Sequence, residues 1–328
     1  MENNKKLLSL YILKILEKYS DETHVLTQKD IIDKIYQTYG IEFERKTISR
    51  NIDSLIDFGY DIIKNKKTGV YLDSRRFEEG EIAFLVDAIF SSKSIPSGYA
   101  KDLIGKIMQD VSVYNTKKYK YVHKADEISR TDNKQLFLNI DVINQAIEGN
   151  KKISFQYNEY DINKNLVPKK DGGDYIVNPY FMINSRGKYY LVGNYDKYDD
   201  ASHYKLELIT NIKINERPIK PIQKVAEFKD GVDISKYINE HIYMFGGEAC
   251  NITLKLNDKA VINDLIEWFG KDVSIRDRDN SVYASFKTNK QSFIYWALQY
   301  GENIEVIEPR ELREDIKQVL KNLLEKYD

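Results

Sequence analysis

Residues 188–195 read Lys188-Tyr189-Tyr190-Leu191-Val192-Gly193-Asn194-Tyr195, and residues 203–209 read His203-Tyr204-Lys205-Leu206-Glu207-Leu208-Ile209. Between them lie Asp196, Asp199 and Asp200. Two runs rich in aromatic and branched residues, separated by turn-forming aspartates, predict neighbouring antiparallel strands. The second run alternates. It therefore places His203, Lys205 and Glu207 on one face and Tyr204 and Leu206 on the other, and continues toward Ile212-Lys213-Ile214.

Working toward the N-terminus, Ser185-Arg186-Gly187 is a turn, and Tyr175 to Ile183 is extended through Asn178-Pro179-Tyr180. Asp171-Gly172-Gly173-Asp174 is a second turn. Lys152 to Tyr157 alternates as a strand, and Phe137 to Ile147 has helical spacing before Gly149-Asn150. One leading helix and several short strands with tight turns predict a small β-barrel of the SH3 or Sm-like type over residues 134–224.

Residues 225–328 predict a separate α+β unit in the order βαββαβ, which is ferredoxin-like. Its strands are Asn251–Leu256, Val273–Ile275, Val282–Phe286 and Ile304–Ile307. Its helices carry Val261, Leu265 and Phe269, then Phe293, Trp296 and Tyr300, and Pro309 opens a last helix.

Residues 1–75 predict three helices and a hairpin. Leu8, Ile12, Ile15 and Tyr19 form one helical stripe. Thr27-Gln28-Lys29-Asp30 has the form of a capping box, and Gly40 is placed to end the second helix. The third helix, about Glu44 to Phe58, turns Ile48, Ile52 and Leu55 inward and Arg45, Lys46, Ser49 and Arg50 outward. Ile62-Ile63-Lys64 and Val70-Tyr71-Leu72 flank a turn containing Lys66 and Lys67. This is a winged helix-turn-helix pattern. A helix of this kind fits the major groove, and a basic hairpin tip grips the backbone beside it. The expected DNA contacts are Arg45, Lys46, Thr47, Ser49 and Arg50 on the helix, with Lys64, Lys66 and Lys67 on the wing. Residues 76–133 read as a helical connector, serving as spacer or as coupling and dimerisation element.

The motifs resemble those of WYL-domain transcriptional regulators. Tyr189-Tyr190-Leu191 stands where that family carries Trp-Tyr-Leu. Asn178-Pro179-Tyr180 and Tyr204-Lys205-Leu206-Glu207-Leu208-Ile209 match its other two strands. Arg45-Lys46-Thr47-Ile48-Ser49-Arg50-Asn51-Ile52 and Gly69-Val70-Tyr71-Leu72 are similar to its recognition helix and wing, with Asn51 in place of the usual Asp. Gly301, Val306, Glu308-Pro309 and Leu312-Arg313 resemble the C-terminal extension that follows WYL domains. The resemblance implies a DNA-binding homodimer whose barrel holds a nucleotide-like or single-stranded oligonucleotide effector, with Tyr157, Tyr189, His203, Lys205 and Glu207 as ligand-binding residues. The family's first strand Arg is Lys205 here and its second is Leu208, which leaves fewer bidentate phosphate contacts.

Charge distribution is compatible with this. The chain of 328 residues has a net charge of −1. Residues 1–76 carry +2, 77–133 carry −1, 134–224 carry +3 and 225–328 carry −5. The first and third segments therefore tolerate an anionic partner, and the last resists one. A single cysteine, Cys250, excludes an internal disulfide and a multi-cysteine zinc site. The apolar run near Leu7–Leu13 is interrupted by Lys14, Glu17 and Lys18, and no stretch is long enough to span a membrane. A cytoplasmic location is expected. No nucleotide-loop, zinc-protease or nucleophile-elbow motif is present, His24, His123, His203 and His241 are scattered, and neither an enzyme, a metal nor a cofactor is expected. The competing expectation is an accessory RNA- or single-strand-binding protein acting through the barrel alone.

Overall fold

The second N-terminal helix begins and ends where its own residues dictate. α1 (Leu8–Tyr19), α2 (Gln28–Tyr39) and α3 (Arg45–Phe58) bury Leu8, Ile12, Ile15, Ile31, Ile35, Ile48, Ile52 and Leu55 against one another. Thr27 accepts from the Asp30 amide while the Asp30 carboxylate accepts from the Thr27 amide, so two orphan donors of α2 are satisfied reciprocally. Gly40 and Gly59 end α2 and α3 in left-handed conformations. The hairpin β1 (Ile62–Asn65) and β2 (Gly69–Leu72) follows. Gly69 has φ +126°, and a Cβ there would lie 2.3 Å from the Leu26 carbonyl oxygen. That closeness lets Val70 exchange two backbone hydrogen bonds with Leu26, fixing the hairpin beside the start of α2.

The computed structural model describes residues 6–65, 68–116, 119, 130–247, 249–278 and 280–328, and the chain divides into two units, Met1–Asp132 and Asn133–Asp328. The first unit continues with α4 (Glu79–Ser91) and α5 (Ser97–Ile107), which pack through Ile82, Val86 and Ile104. Arg75 ties the hairpin's exit to the first helix by donating to the carbonyls of Glu17 and Ser20. Lys66, Lys67 and His123 lie outside the described residues.

The second unit opens with α6 (Leu136–Glu148), then β3 (Lys151–Tyr160), β4 (Leu166–Pro168), β5 (Tyr175–Ser185), β6 (Lys188–Asn194), β7 (Ser202–Lys205) and β8 (Ile209–Pro218). They form one curled antiparallel sheet in the order β4-β3-β5-β6-β7, with β8 also paired to β3. Gly193 opposes Pro179, where the β5–β6 register shifts, and a Cβ there would meet the Asn178 carbonyl at 2.6 Å. Buried Asn178 and Asn194 brace the aspartate turn: Asn178 Nδ2 donates to Asp196, and Asn194 Nδ2 donates to the carbonyls of Tyr198 and Asp200. The Asn178 hydrogen bond and Lys152 hold the Asp196 carboxyl below its ordinary value.

The alternating run from His203 to Ile209 is not one strand. β7 stops at Lys205, a single 3-10 turn spans Leu206–Leu208, and β8 begins at Ile209. The break carries the chain from the β6 edge of the sheet to the β3 edge. Two asparagines donate to carbonyls at and beside this break. Asn139 Nδ2 donates to the Leu206 and Ile209 carbonyls, and Asn133 Nδ2 to those of Glu207 and Ile209.

After β8, Val225, Phe228 and, from α7 (Ile234–Glu240), Tyr237 pack with Met244 onto Tyr180, Ile183, Tyr190 and Val192. Residues following 224 thus back the curled sheet before the last sheet begins. That sheet comprises β9 (Ala249–Leu256), β10 (Ser274–Arg278), β11 (Ser281–Asn289) and β12 (Ile304–Glu308), all antiparallel in the order β10-β11-β9-β12. Its helices α8 (Val261–Phe269), α9 (Lys290–Gln299) and α10 (Arg310–Leu324) enclose a core centred on Trp296, Phe293, Leu254 and Leu265.

Candidate functional sites

In the first unit, α3 and the hairpin enclose a cleft of about 600 Å³. Arg45, Ser49 and Lys64 line it, together with Thr27, Gln28 and Lys29 at the N-terminus of α2. The spacing of Arg45, Ser49 and Ile52 on one helical stripe puts them on the wall. Lys46 and Arg50 are exposed on the neighbouring stripe and do not line the cleft. Thr47 is half-buried, and its carbonyl accepts from Asn51 Nδ2. Asn51 Oδ1 in turn accepts from Ser9 Oγ at 2.6 Å. An aspartate could accept but not donate, so Asn51 ties α3 to α1 and to its own preceding turn in a way the carboxylate could not. Lys64 is ion-paired with Asp53 of α3, which fastens hairpin to helix.

In the second unit, a cavity of about 430 Å³ opens between the curled sheet and the chain that follows α7. Tyr157, His203 and Lys205 line it, as do Ser185, Arg186, Lys188 and Tyr190 from the β5–β6 hairpin. Ile242, Tyr243, Met244 and Phe245 close the other side. Three basic side chains face this space, and among the described residues no carboxylate lines it.

Each wall residue is positioned by its element. Tyr157 on β3 receives the Lys205 amide on its phenol oxygen at 3.2 Å, and burial pushes that phenol up to about 12. Burial, with Lys188 nearby, holds the Lys205 ammonium below its ordinary value. His203 Nε2 lies 2.9 Å from the Tyr237 hydroxyl, while its Nδ1 is buried with no hydrogen-bond partner. Burial, and then neighbouring His241, push His203 down to about 3, so its ring is neutral at physiological pH. Arg186 occupies a left-handed position, φ +51°, at the hairpin tip. Its guanidinium carbon sits 3.2 Å from the centre of the Trp268 ring, and Nη1 is 3.9 Å from Glu267.

The structure thus brings together three of the five residues the sequence singles out here, and separates two. Glu207 falls in the 3-10 turn, off the cavity wall, because the strand breaks at Leu206; its charge still bears on Lys205 and Tyr190. Tyr189 is exposed on the opposite face of β6, since Lys188 and Tyr190 take the cavity face. Arg186, Lys188 and Tyr190 are additions. The signal for Lys188 and Tyr190 was the period of two along β6; the contribution of Arg186 and of Tyr243–Phe245 depends on tertiary packing.

The WYL domain family matches residues 139–214, and the WCX domain family matches residues 248–324. No curated protein matches the chain. Among solved structures, it is similar to proteasome accessory factor B/C (PafBC) of Arthrobacter aurescens, at 15% identity and a TM-score of 0.30 over 98% of this chain. The match covers 49% of that structure, so the chain spans about half the length of that relative. It is also similar to a CRISPR Cas-related protein at 13% identity and a TM-score of 0.38, covering 77% of this chain and 75% of the other.

Proposed function

Because the chain carries a WYL domain followed by a WCX domain, we propose that it is a ligand-responsive transcription regulator, regulatory rather than catalytic. In this reading residues 1–75 are a winged helix-turn-helix that reads duplex DNA, the curled sheet is a small Sm- or SH3-like barrel, and the βαββαβ sheet is ferredoxin-like. The sheet order β10-β11-β9-β12 supports the last assignment. The observation that carries the DNA-binding reading is the cleft between α3 and the hairpin. It joins Arg45, Ser49 and Lys64 with Lys29 in the first turn of α2, a set of donors and cations suited to a phosphate backbone.

The effector is an anion of nucleotide type, held in the cavity by Lys188, Lys205 and Arg186 against the rings of Tyr157 and Tyr190. The regulator acts as a homodimer on a repeated half-site, because one small reading head buries little surface. Exposed Leu298, Leu320 and Leu324 on the last sheet's helices offer apolar area for pairing. No described helix is long and apolar enough to cross a membrane.

Pull-down of genomic fragments with the purified chain tests this directly. The expected result is a duplex operator with repeat symmetry and a dimeric mass by light scattering in its presence. Retention of single strands only, with no duplex, would transfer the assignment to an accessory single-strand-binding role.

A further inference from the structure

The Arg186 side chain stands between two environments. On one side it lines the cavity with Lys188 and Lys205; on the other it stacks on Trp268 and approaches Glu267, both carried by α8. Its backbone origin is fixed, because Arg186 and Gly187 both hold positive φ in the tight turn between β5 and β6. A left-handed backbone is unusual for arginine, where asparagine or glycine is the common occupant. The turn alone therefore does not explain the residue, whereas its two side-chain environments do.

Neither contact with α8 uses the paired N–H donors of the guanidinium fork. The Arg186 Nη1 to Glu267 Oε1 separation is 3.9 Å, and both partners are substantially exposed, a geometry that contributes little. Stacking on an indole satisfies the guanidinium face but none of its five N–H donors. A phosphate group in the cavity offers what α8 does not: a full negative charge and paired oxygen acceptors matching the guanidinium fork. Lys188 and Lys205 supply further positive charge beside it.

We propose that Arg186 is a shared latch: with the cavity empty it holds the β5–β6 hairpin to α8 through Trp268, and a phosphate bound beside Lys188 and Lys205 draws its guanidinium into the cavity and releases Trp268. This rests on the reading of the cavity as an anion site and adds how occupancy reaches the C-terminal sheet. Two sources share the chemistry, a nucleoside 5′-monophosphate and a 5′-phosphorylated short single strand. The unphosphorylated nucleoside lacks it.

The test combines calorimetry with tryptophan emission on the full chain, using adenosine 5′-monophosphate, 5′-phosphorylated dithymidine, adenosine and inorganic phosphate as probes. Trp268→Phe identifies the share of emission that belongs to Trp268 rather than to buried Trp296. The expected result is binding of at least one phosphorylated probe, not of adenosine, with an emission change that disappears in Trp268→Phe. Preference for the dinucleotide or the mononucleotide separates the two sources. Arg186→Asn keeps a residue suited to the left-handed turn. It should bind at least tenfold more weakly and show the released Trp268 emission before any probe is added. Arg186→Lys, which retains charge without the fork, should fall between. Phosphate-dependent binding with no Trp268 response overturns the latch and leaves the anion site standing. Failure of every phosphorylated probe to bind overturns both.

Discussion

His203 of β7 and Tyr237 of α7 meet side chain to side chain, imidazole Nε2 to phenol oxygen at 2.9 Å, with His241 stacked on Tyr237 at 4.2 Å between ring centres and 5.6 Å from the His203 ring. This contact joins the cavity wall to the chain leading into the last sheet. Two carboxylates bear on this cluster, Glu227 and Glu240, and Glu240 is paired with Lys287.

The cluster makes stability fall in acid. Burial pushes His203 down to about 3 and also lowers His241. Above the unfolded value of about 6.5 both states are neutral and pH is without effect through these groups. As pH drops from there toward about 3, the unfolded chain takes up a proton that folded His203 refuses, and stability declines by about 1.4 kcal/mol per pH unit. Urea midpoints between pH 7 and 4 measure this. His203→Gln, which can still reach the Tyr237 hydroxyl, should flatten the decline; an unchanged slope would assign it to other groups.

Gly69 admits no side chain. With φ +126° and the Leu26 carbonyl 2.3 Å from any Cβ, Gly69→Ala must part the hairpin from α2. The expected cost is about 1–3 kcal/mol in the first unit, read by chemical denaturation. Loss of duplex binding should accompany it, because the cleft between α3 and the hairpin widens. A variant as stable as the parent would show that the hairpin's seating tolerates the shift.

On the reading helix, Arg50→Ala and Lys46→Ala should each weaken binding to an identified operator by about 1–3 kcal/mol where a base contact is lost. Lys64→Ala should instead weaken all duplexes alike and reduce the dependence of affinity on salt. Asp53, its partner in the ion pair, provides the control: Asp53→Asn frees Lys64 and should not weaken binding. Titrations at several salt concentrations separate the two classes. Full-strength operator binding by both Arg50→Ala and Lys46→Ala would move the recognition face to the cleft stripe of Arg45 and Ser49.

In the cavity, Lys205→Ala should lower affinity for a phosphorylated probe about tenfold, roughly 1.4 kcal/mol, since it removes one cation of the site. Tyr189→Ala should leave that affinity within about twofold, because its ring lies on the far face of β6. Calorimetry on the two variants distinguishes a cavity built on Tyr190 from one built on Tyr189.

Much of the fold is local and was legible in the sequence. The Thr27–Asp30 box, Gly40, and the stripes Leu8-Ile12-Ile15 and Ile48-Ile52-Leu55 act within a single helix or at its end. Such choices depend on each residue's own backbone preference and on a fixed geometric period. Alternation from His203 to Ile209 obeyed the same rule and still misled. The strand breaks at Leu206, where Asn133 and Asn139, far back in the chain, donate to the carbonyls of Glu207 and Leu206, and no period records that. The same holds for Arg186. Its turn was evident from Ser185-Arg186-Gly187, but its guanidinium meets Trp268 only because the last sheet's helix packs beside the β5–β6 hairpin. Sequence by itself determined most of the helices, strands and turns, though not the break at Leu206, β4 or α7. Tertiary structure alone decided which side chains surround the cavity, because its walls come from segments brought together by burial and by hydrogen bonds between distant residues.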